Sequence, residues 1–535
     1  MKITSYISVA YLAIFLPAAL LLYTIIPKKA RPFVLLIASY VFFWFISEFL
    51  IAYLIFTTLC VYLLALWLDK LKAKRKTLLE GAESKEEKKR IKTKNTRAQR
   101  WIIVFGIVIN VAILAVLKYS PFFVSSLNTA LRFAGVNEAL APPKFMAPIG
   151  ISFYTLQAVS YIHDVYKEKI GADKNLGRVA LFMSFFPIIM EGPICRYSDT
   201  AHALWSGERL HYTNACFGAQ RIAFGALKKM VIADRLNVFV TTAFKDYEAF
   251  DYDGGLVLLG AILYTVELYM EFSGTIDVVI GSGEMFGVKI PENFRQPFFS
   301  KSISEFWQRW HITLGTWFRD YIFYPVTMSK GMKKLTKKCR KKLGRDYGPL
   351  PASIIAFFCV WACNGLWHGA GWQFIMFGMY HFVLISLGAL ILPLSNKCLA
   401  KCHIDRNKFP YKAFTILRTA LLVCIGEMMF NSRGAKDSIN LMRVLFTKFT
   451  FKSWFDGSVL TLGLDPHDII ILCIAIAIVL AVGIMKERGI SPREWVAQRP
   501  IFVRWPIYMA LVLFTVVFGA YGAGYIPIDP IYANF

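Results

Sequence analysis

Long apolar runs separated by short polar and mostly basic turns set the pattern of this chain. The runs lie near 6–26, 33–68, 101–118, 145–166, 255–272, 350–394, 413–430, 467–485 and 501–527. A helix needs about 20 apolar residues to cross a bilayer, so with the two longest runs folded back as hairpins the pattern predicts roughly eleven spans. The fold class that follows is an all-α polytopic integral membrane protein. The first run, within Met1–Pro27, has no basic start and no small-residue cleavage site. It is expected to stay as helix one, not to be removed as a signal peptide.

Two segments interrupt this regularity with chemistry. On a continuous helix through Glu305–Tyr321, the side chains of Phe306, Trp307, Trp310, Leu314, Trp317, Phe318 and Tyr321 share one face, Gln308, Arg309, Thr313, Thr316, Arg319 and Asp320 take the rest, and His311 falls on the border. That arc predicts a helix near the bilayer interface or in a polar cavity, holding a titratable ring at a wet boundary. The second segment is Asn364-Gly-Leu-Trp-His368-Gly-Ala-Gly371. If the helix continues through His368, Asn364 sits one turn earlier on the same face. Gly365, Gly369 and Gly371 permit close approach of a backbone or a substrate. A histidine inside a membrane run is costly to bury without a partner, which makes His368 a functional candidate. His163, His202, His211, His381, His403 and His467 are read as hydrogen-bonded core residues.

The net charge of +26 does not point to nucleic acid, because the basic residues sit in the turns between apolar runs, as the positive-inside rule requires. Lys70–Arg100 carries 13 Lys and Arg against four Glu, and Met328–Asp346 nine against one Asp. Both are expected in the cytoplasm, which by counting crossings puts the N-terminus, the C-terminus and the loops near 119–144 and 431–466 outside. Lys70–Arg100 itself reads as a solvated helix or mobile loop. Segment 210–245, interrupted by Arg221, Lys228, Lys229, Asp234 and Arg235, reads equally as a span or as a helix lying flat.

Among the ten cysteines, Cys398-x-x-x-Cys402-His403 has the outline of a zinc half-site or a palmitoylation site, and without a second ligand pair no metal is expected. Glu267 and Glu271 lie one turn apart within an apolar run. They fit a cation site in a transporter, or pairing with Arg295 or Arg309 that holds the core. Pro187, Gly192 and Pro193 break another run and predict a re-entrant hairpin whose freed backbone groups face protein or water.

The chain resembles the membrane-bound O-acyltransferase family, in the bacterial branch that includes the alginate O-acetylation protein and the teichoic-acid D-alanyl transfer protein. The resemblance rests on Pro148-Ile-Gly-Ile-Ser-Phe-Tyr-Thr155, Tyr161–Tyr166, Phe185-Phe-Pro187, Gly192-Pro-Ile-Cys-Arg196, Glu271-Phe-Ser-Gly-Thr-Ile-Asp277, Pro291-Glu-Asn-Phe294, Phe306–Tyr321 and Asn364–Gly369. Together these cover about half of the chain, in order. Glu191, Glu427-Met-Met-Phe430, the long basic segment 69–100 and the tail Ile531-Tyr-Ala-Asn-Phe535 depart from relatives and leave the acceptor open.

The resemblance implies a single transmembrane domain over 1–535 around a central reaction chamber, with N-terminal helices in 1–118, a catalytic core in 145–394 and C-terminal helices in 413–535. It implies His311 and His368 as the two catalytic histidines; Asn364, Trp367, Arg309 and Asp320 are read as supporting residues, with Arg309, Arg319 and Asp320 either anchoring a donor phosphate or merely sitting at the interface. His368 is expected to act as general base, His311 to orient the acceptor or the acyl oxygen, and Asn364 to donate to the developing oxyanion. No bound cofactor is implied. The acyl donor is an acetyl-CoA thioester, or an acyl carrier protein in the D-alanyl branch, and the partners are an extracytoplasmic hydrolase-like protein and a cell-envelope glycan. The location implied is the bacterial cell membrane, inner or plasma, as a multi-pass protein. No Gly-x-Ser-x-Gly elbow occurs, so a serine acyl-enzyme is not indicated. A membrane transporter or channel is the alternative of a different class.

Overall fold

The computed structural model describes residues 3–136, 139–245 and 252–521. These are mostly helical, with no strand among the described residues. They fall into two compact units, one holding residues up to 218 with 279–291, the other 219–278 with residues from 292 onward.

The first unit contains α1 (Leu16–Ile25), α2 (Arg31–Ser47), α3 (Ile51–Glu80), α4 (Lys85–Leu114), α5 (Ser120–Phe133), α6 (Ile151–Tyr166), α7 (Leu176–Ser184), α8 (Tyr197–Trp205) and the start of α9 (Tyr212–Ala226). Helices α3 and α4 have 30 residues each, about 45 Å at the helical rise, which exceeds the roughly 30 Å of hydrocarbon in a bilayer. The surplus is the basic segment 69–100, which simply prolongs both helices and turns at 81–84. Ser84 caps α4 by accepting from the Glu87 N–H at 3.0 Å, and Glu86 and Glu87 in the first turn complement the helix dipole. Asn95 ties the hairpin by donating to the Leu71 carbonyl at 2.9 Å.

At the break marked by Pro187, Gly192 and Pro193, the chain leaves α7 and turns before running extended into α8. The segment is buried and its freed backbone groups meet protein. Phe186 N–H donates to Ser39 Oγ at 3.1 Å, while the Tyr6 hydroxyl donates to the Phe186 carbonyl at 2.8 Å and accepts from Met190 N–H at 3.1 Å.

The second unit contains α10 (Asp234–Lys245), most of α11 (Gly254–Met285), the short α12 (Ile303–Arg309), α13 (Ile312–Phe318) and α14 (Tyr324–Thr327), then α15 (Lys330–Tyr347), α16 (Leu350–His368), α17 (Trp372–Lys401), α18 (Phe409–Asn431), α19 (Ala435–Thr447), α20 (Pro466–Glu487), α21 (Pro492–Ala497) and α22 (Ile501–Phe518). Its charged interior is organised around α11. Asp277 meets Lys228 at 2.5 Å and Arg221 at 2.9 Å, Arg221 also reaches Glu292 at 2.6 Å, and Lys229 lies 2.5 Å from Asp234 and 3.6 Å from Glu271. The charges that disturb the pattern of 210–245 are therefore paired inside, with Lys228 and Lys229 delivered by a π-helical turn over Leu227–Ala233. Buried charges cost several kcal/mol each unless opposed in this way. The expected partner of the acidic pair is corrected here: Glu271 faces Lys229, and Arg309 is held instead by Glu305 and Glu487, both at 2.8 Å.

By length and apolar composition, eight helical stretches among the described residues can cross a membrane: 28–80, 85–133, 254–285, 350–368, 372–401, 409–431, 466–487 and 501–518. The sequence pattern leads to roughly eleven. Part of the difference is a matter of breaks, since 28–80 counts once although Glu48, with φ 49°, interrupts it between α2 and α3. The terminal residues, assigned to the outside by the charge pattern, lie outside the described residues.

Candidate active site

The aromatic segment 305–321 is not one helix. Its first turn is capped by Ser302, which accepts from Glu305 N–H at 3.1 Å, and α12 ends at Arg309. Trp310 is extended and His311 adopts a left-handed conformation, φ 44° and ψ 51°, before α13 begins at Ile312. A single helical wheel therefore does not apply across residue 311, and the border position expected for His311 is replaced by a junction that turns its ring inward. Its exposure is 2%. A non-glycine residue held at positive φ needs surrounding contacts to keep it there.

Asn293 supplies them. Ile312 N–H donates to the Asn293 carbonyl at 2.9 Å. The Asn293 Oδ1 accepts from Thr313 N–H at 3.1 Å and from Thr313 Oγ1 at 2.9 Å, and stands 3.2 Å from His311 Nδ1. Because a backbone N–H can only donate, it fixes which side of the amide is oxygen, and an acceptor oxygen requires His311 to carry its proton on Nδ1. The lone pair of the neutral ring is then on Nε2. Burial first, and the charge of His368 second, hold this imidazole well below the usual histidine range, so it is neutral near pH 7.

Helix α16 does run through His368, with Asn364 one turn before it, as its spacing leads one to expect. Helices α16 and α17 form a tight hairpin: a Cβ on Gly365 would lie 2.6 Å from the Phe374 carbonyl oxygen, and one on Gly378 2.5 Å from the Trp361 carbonyl oxygen. This close approach fixes the end of α16. Trp367 then contacts both imidazoles, with ring centroids 5.6 Å from His311 and 5.1 Å from His368. Phe272 of α11 packs edge-on to His311 at 4.9 Å, and Phe430 of α18 to His368 at 5.2 Å. Asn364 is 6% exposed and its Oδ1 has no hydrogen-bond partner among the described residues.

The structure thus brings together His311, His368, Trp367 and Asn364 in one unit. Arg309 is spent on Glu305 and Glu487, and Asp320 meets Arg319 at 3.0 Å on a half-exposed turn. Asn293 was not singled out by sequence reasoning, and neither was Phe430 as a wall of the site. The signal for Asn293 is a lone amide in a short Pro-Glu-Asn-Phe link between helices. His381, read as a hydrogen-bonded core residue, is one: it is fully buried and its Nδ1 accepts from Trp307 Nε1 at 3.2 Å. It also shares Phe377 with His368, at 4.8 and 5.9 Å. That core reading does not hold for His202, His211, His403 and His467, which are exposed.

Comparison with known proteins decides the family. The family model described as MBOAT, membrane-bound O-acyltransferase family, matches residues 39–338. The chain belongs to the membrane-bound O-acyltransferase family. The matched range includes His311 and ends ahead of His368. A protein named "Probable alginate O-acetylase AlgI" from Pseudomonas syringae pv. tomato is 33% identical over 83% of this chain and 75% of its own length. The peptidoglycan O-acetyltransferase of Helicobacter pylori is 31% identical over 55% and 56% of the two chains. The teichoic acid D-alanyltransferase of Bacillus subtilis is 32% identical over 46% and 60%. The protein is accordingly an integral membrane enzyme of O-acyl transfer, in the bacterial branch that the motif series indicated. As an acyltransferase it uses an acyl donor.

Proposed function

We propose that this O-acyltransferase moves an acetyl group from a cytoplasmic thioester, acetyl-CoA, to a hydroxyl of a cell-envelope polysaccharide or of an extracytoplasmic relay protein. The relatives that cover most of the chain carry an O-acetylase name, which favours acetyl over D-alanyl and acetyl-CoA over an acyl carrier protein. The observation that carries the chemistry is the pair of buried imidazoles meeting one indole, Trp367.

In the proposed step the acceptor oxygen attacks the thioester carbonyl carbon while His368 takes its proton. The tetrahedral adduct collapses, the carbon–sulfur bond breaks, and the proton passes to the leaving thiolate. Asn364 donates to the oxyanion through its amide nitrogen. The proton on His311 Nδ1 favours one of the two orienting roles considered for His311, because Nε2 presents a lone pair that accepts from a hydroxyl and does not donate to an acyl oxygen. The same lone pair supports a second reading, in which His311 is the base. Arg309 and Asp320 are left with interfacial roles. The basic segments 70–100 and 328–346 are assigned to the cytoplasmic, donor side, and a hydrolase-like partner to the outer side.

The test is transfer by the protein in lipid nanodiscs, using acetyl-CoA labelled in the acetyl group and an O-deacetylated envelope oligosaccharide. Labelled ester on the sugar, or on a serine of an added relay protein, supports the reading. Label passing only from a D-alanyl carrier protein would overturn it in favour of the D-alanyl branch.

A further inference from the structure

A cavity of about 700 Å³ lies in the second unit between α9, α20, α21 and α22, apart from the histidines. Its composition is graded. At one end Leu227, Ile474 and Phe514 line it, and at the other Arg221, Lys486 and Arg493. From Ile474 to Lys486 the wall of α20 rises about 18 Å, the reach of a lipid chain within one leaflet, where the hydrocarbon is half of roughly 30 Å. The volume is within the usual range for a ligand site, about 300–1,000 Å³.

The polar end carries three cationic side chains, Arg221, Lys486 and Arg493. Asp277 and Glu292 line it too, but Arg221 and Lys228 already oppose them. Lys486 lies within electrostatic reach of Asp277 without an ion pair among the described residues. The same end is marked as the headgroup level by an independent feature. Trp495 and Trp505 are exposed there, and Arg499 stacks on Trp495 at 4.2 Å. Tryptophan with arginine is the pattern of a membrane–water interface. The walls α20 and α22 are only 11% and 6% buried over their apolar windows, so they face hydrocarbon. An apolar shaft opening between such helices stays free of water.

We propose that this cavity binds one anionic glycerophospholipid of the adjoining leaflet, with an acyl chain in the shaft and its phosphate at Lys486 and Arg493. The charge selects the headgroup and the shaft selects the chain. A basic residue at this level strengthens binding of an anionic lipid about fivefold.

The experiment uses full-length protein in nanodiscs of phosphatidylcholine with a minor share of phosphatidylglycerol bearing a diazirine at its chain end. Crosslinks should concentrate on α20 and α22 near Ile474 and Phe514, and be competed by unlabelled phosphatidylglycerol but not by phosphatidylcholine. Lys486→Ala and Arg493→Ala should each weaken competition about fivefold. Ala510→Trp, which fills the shaft, should abolish the specific crosslink. Crosslinks spread evenly over lipid-facing helices, or equal competition by phosphatidylcholine, would overturn the proposal. If Ala510→Trp does not fold, the two charge variants decide it alone.

Discussion

Asn293 Oδ1 stands 3.2 Å from His311 Nδ1 while accepting two hydrogen bonds from Thr313, and so decides which nitrogen of the histidine holds the proton. The amide works at a helix break where the backbone of His311 is left-handed. One side chain therefore sets both the direction and the tautomer of the ring.

Asn293→Ala should loosen this junction and leave Thr313 N–H without its acceptor, at about 1–3 kcal/mol for the buried donor. Turnover should fall more than thermal stability accounts for, because the ring loses its orientation. Asn293→Asp keeps the acceptor oxygen and should recover part of the loss. Equal activity in Asn293→Ala and wild type, assayed in nanodiscs, would show that the tautomer does not matter.

Stability should fall as the solution is made acidic. His311 is held neutral by burial, with its folded value below the unfolded value near 6.5. As pH drops through 6.5, the unfolded chain takes up a proton that the folded chain refuses. The stability linked to this group is thus complete above that range and lost below it, at up to about 1.4 kcal/mol per pH unit. Melting followed between pH 7.5 and 5 should show a shallower slope in His311→Asn. An unchanged slope would place the proton uptake elsewhere.

The hairpin of α16 and α17 depends on the missing side chain of Gly365. Adding a methyl 2.6 Å from the Phe374 carbonyl forces the helices apart, at about 1–3 kcal/mol for overpacking. Gly365→Ala should lower the melting temperature and cut turnover together. Gly388→Ala on α17, where a Cβ meets nothing within 4 Å, is the control and should behave as wild type.

How much of this was legible beforehand follows from what each signal measures. Apolar runs and charge clusters gave the membrane class, because burial in lipid acts on long stretches. The spacing of Asn364 and His368 gave their shared face, because that helix is continuous. The wheel failed at His311 because hydrophobic periodicity assumes unbroken φ and ψ, and Trp310 and His311 leave the helix to suit Asn293, a contact across 18 residues of sequence. The pairing of Glu271 with Lys229 was equally hidden, since a π-helical turn aims that lysine.

Orientation can be measured with single cysteines at exposed positions in a background without reactive thiols. Glu83→Cys lies in the turn of the basic hairpin and Lys452→Cys in the segment 431–466. Under the charge rule, an impermeant maleimide on intact cells should label Lys452→Cys and spare Glu83→Cys until the membrane is opened. The reverse order would invert the donor and acceptor sides.

The central claim is that a buried histidine at the end of α16 carries the proton in acyl transfer. His368→Ala, purified and reconstituted with labelled acetyl-CoA and acceptor, measures it most directly. Turnover should drop by about 10² to 10⁴ with expression and melting near wild type. Retention of more than half the wild-type turnover would contradict the account and move the proton to another group.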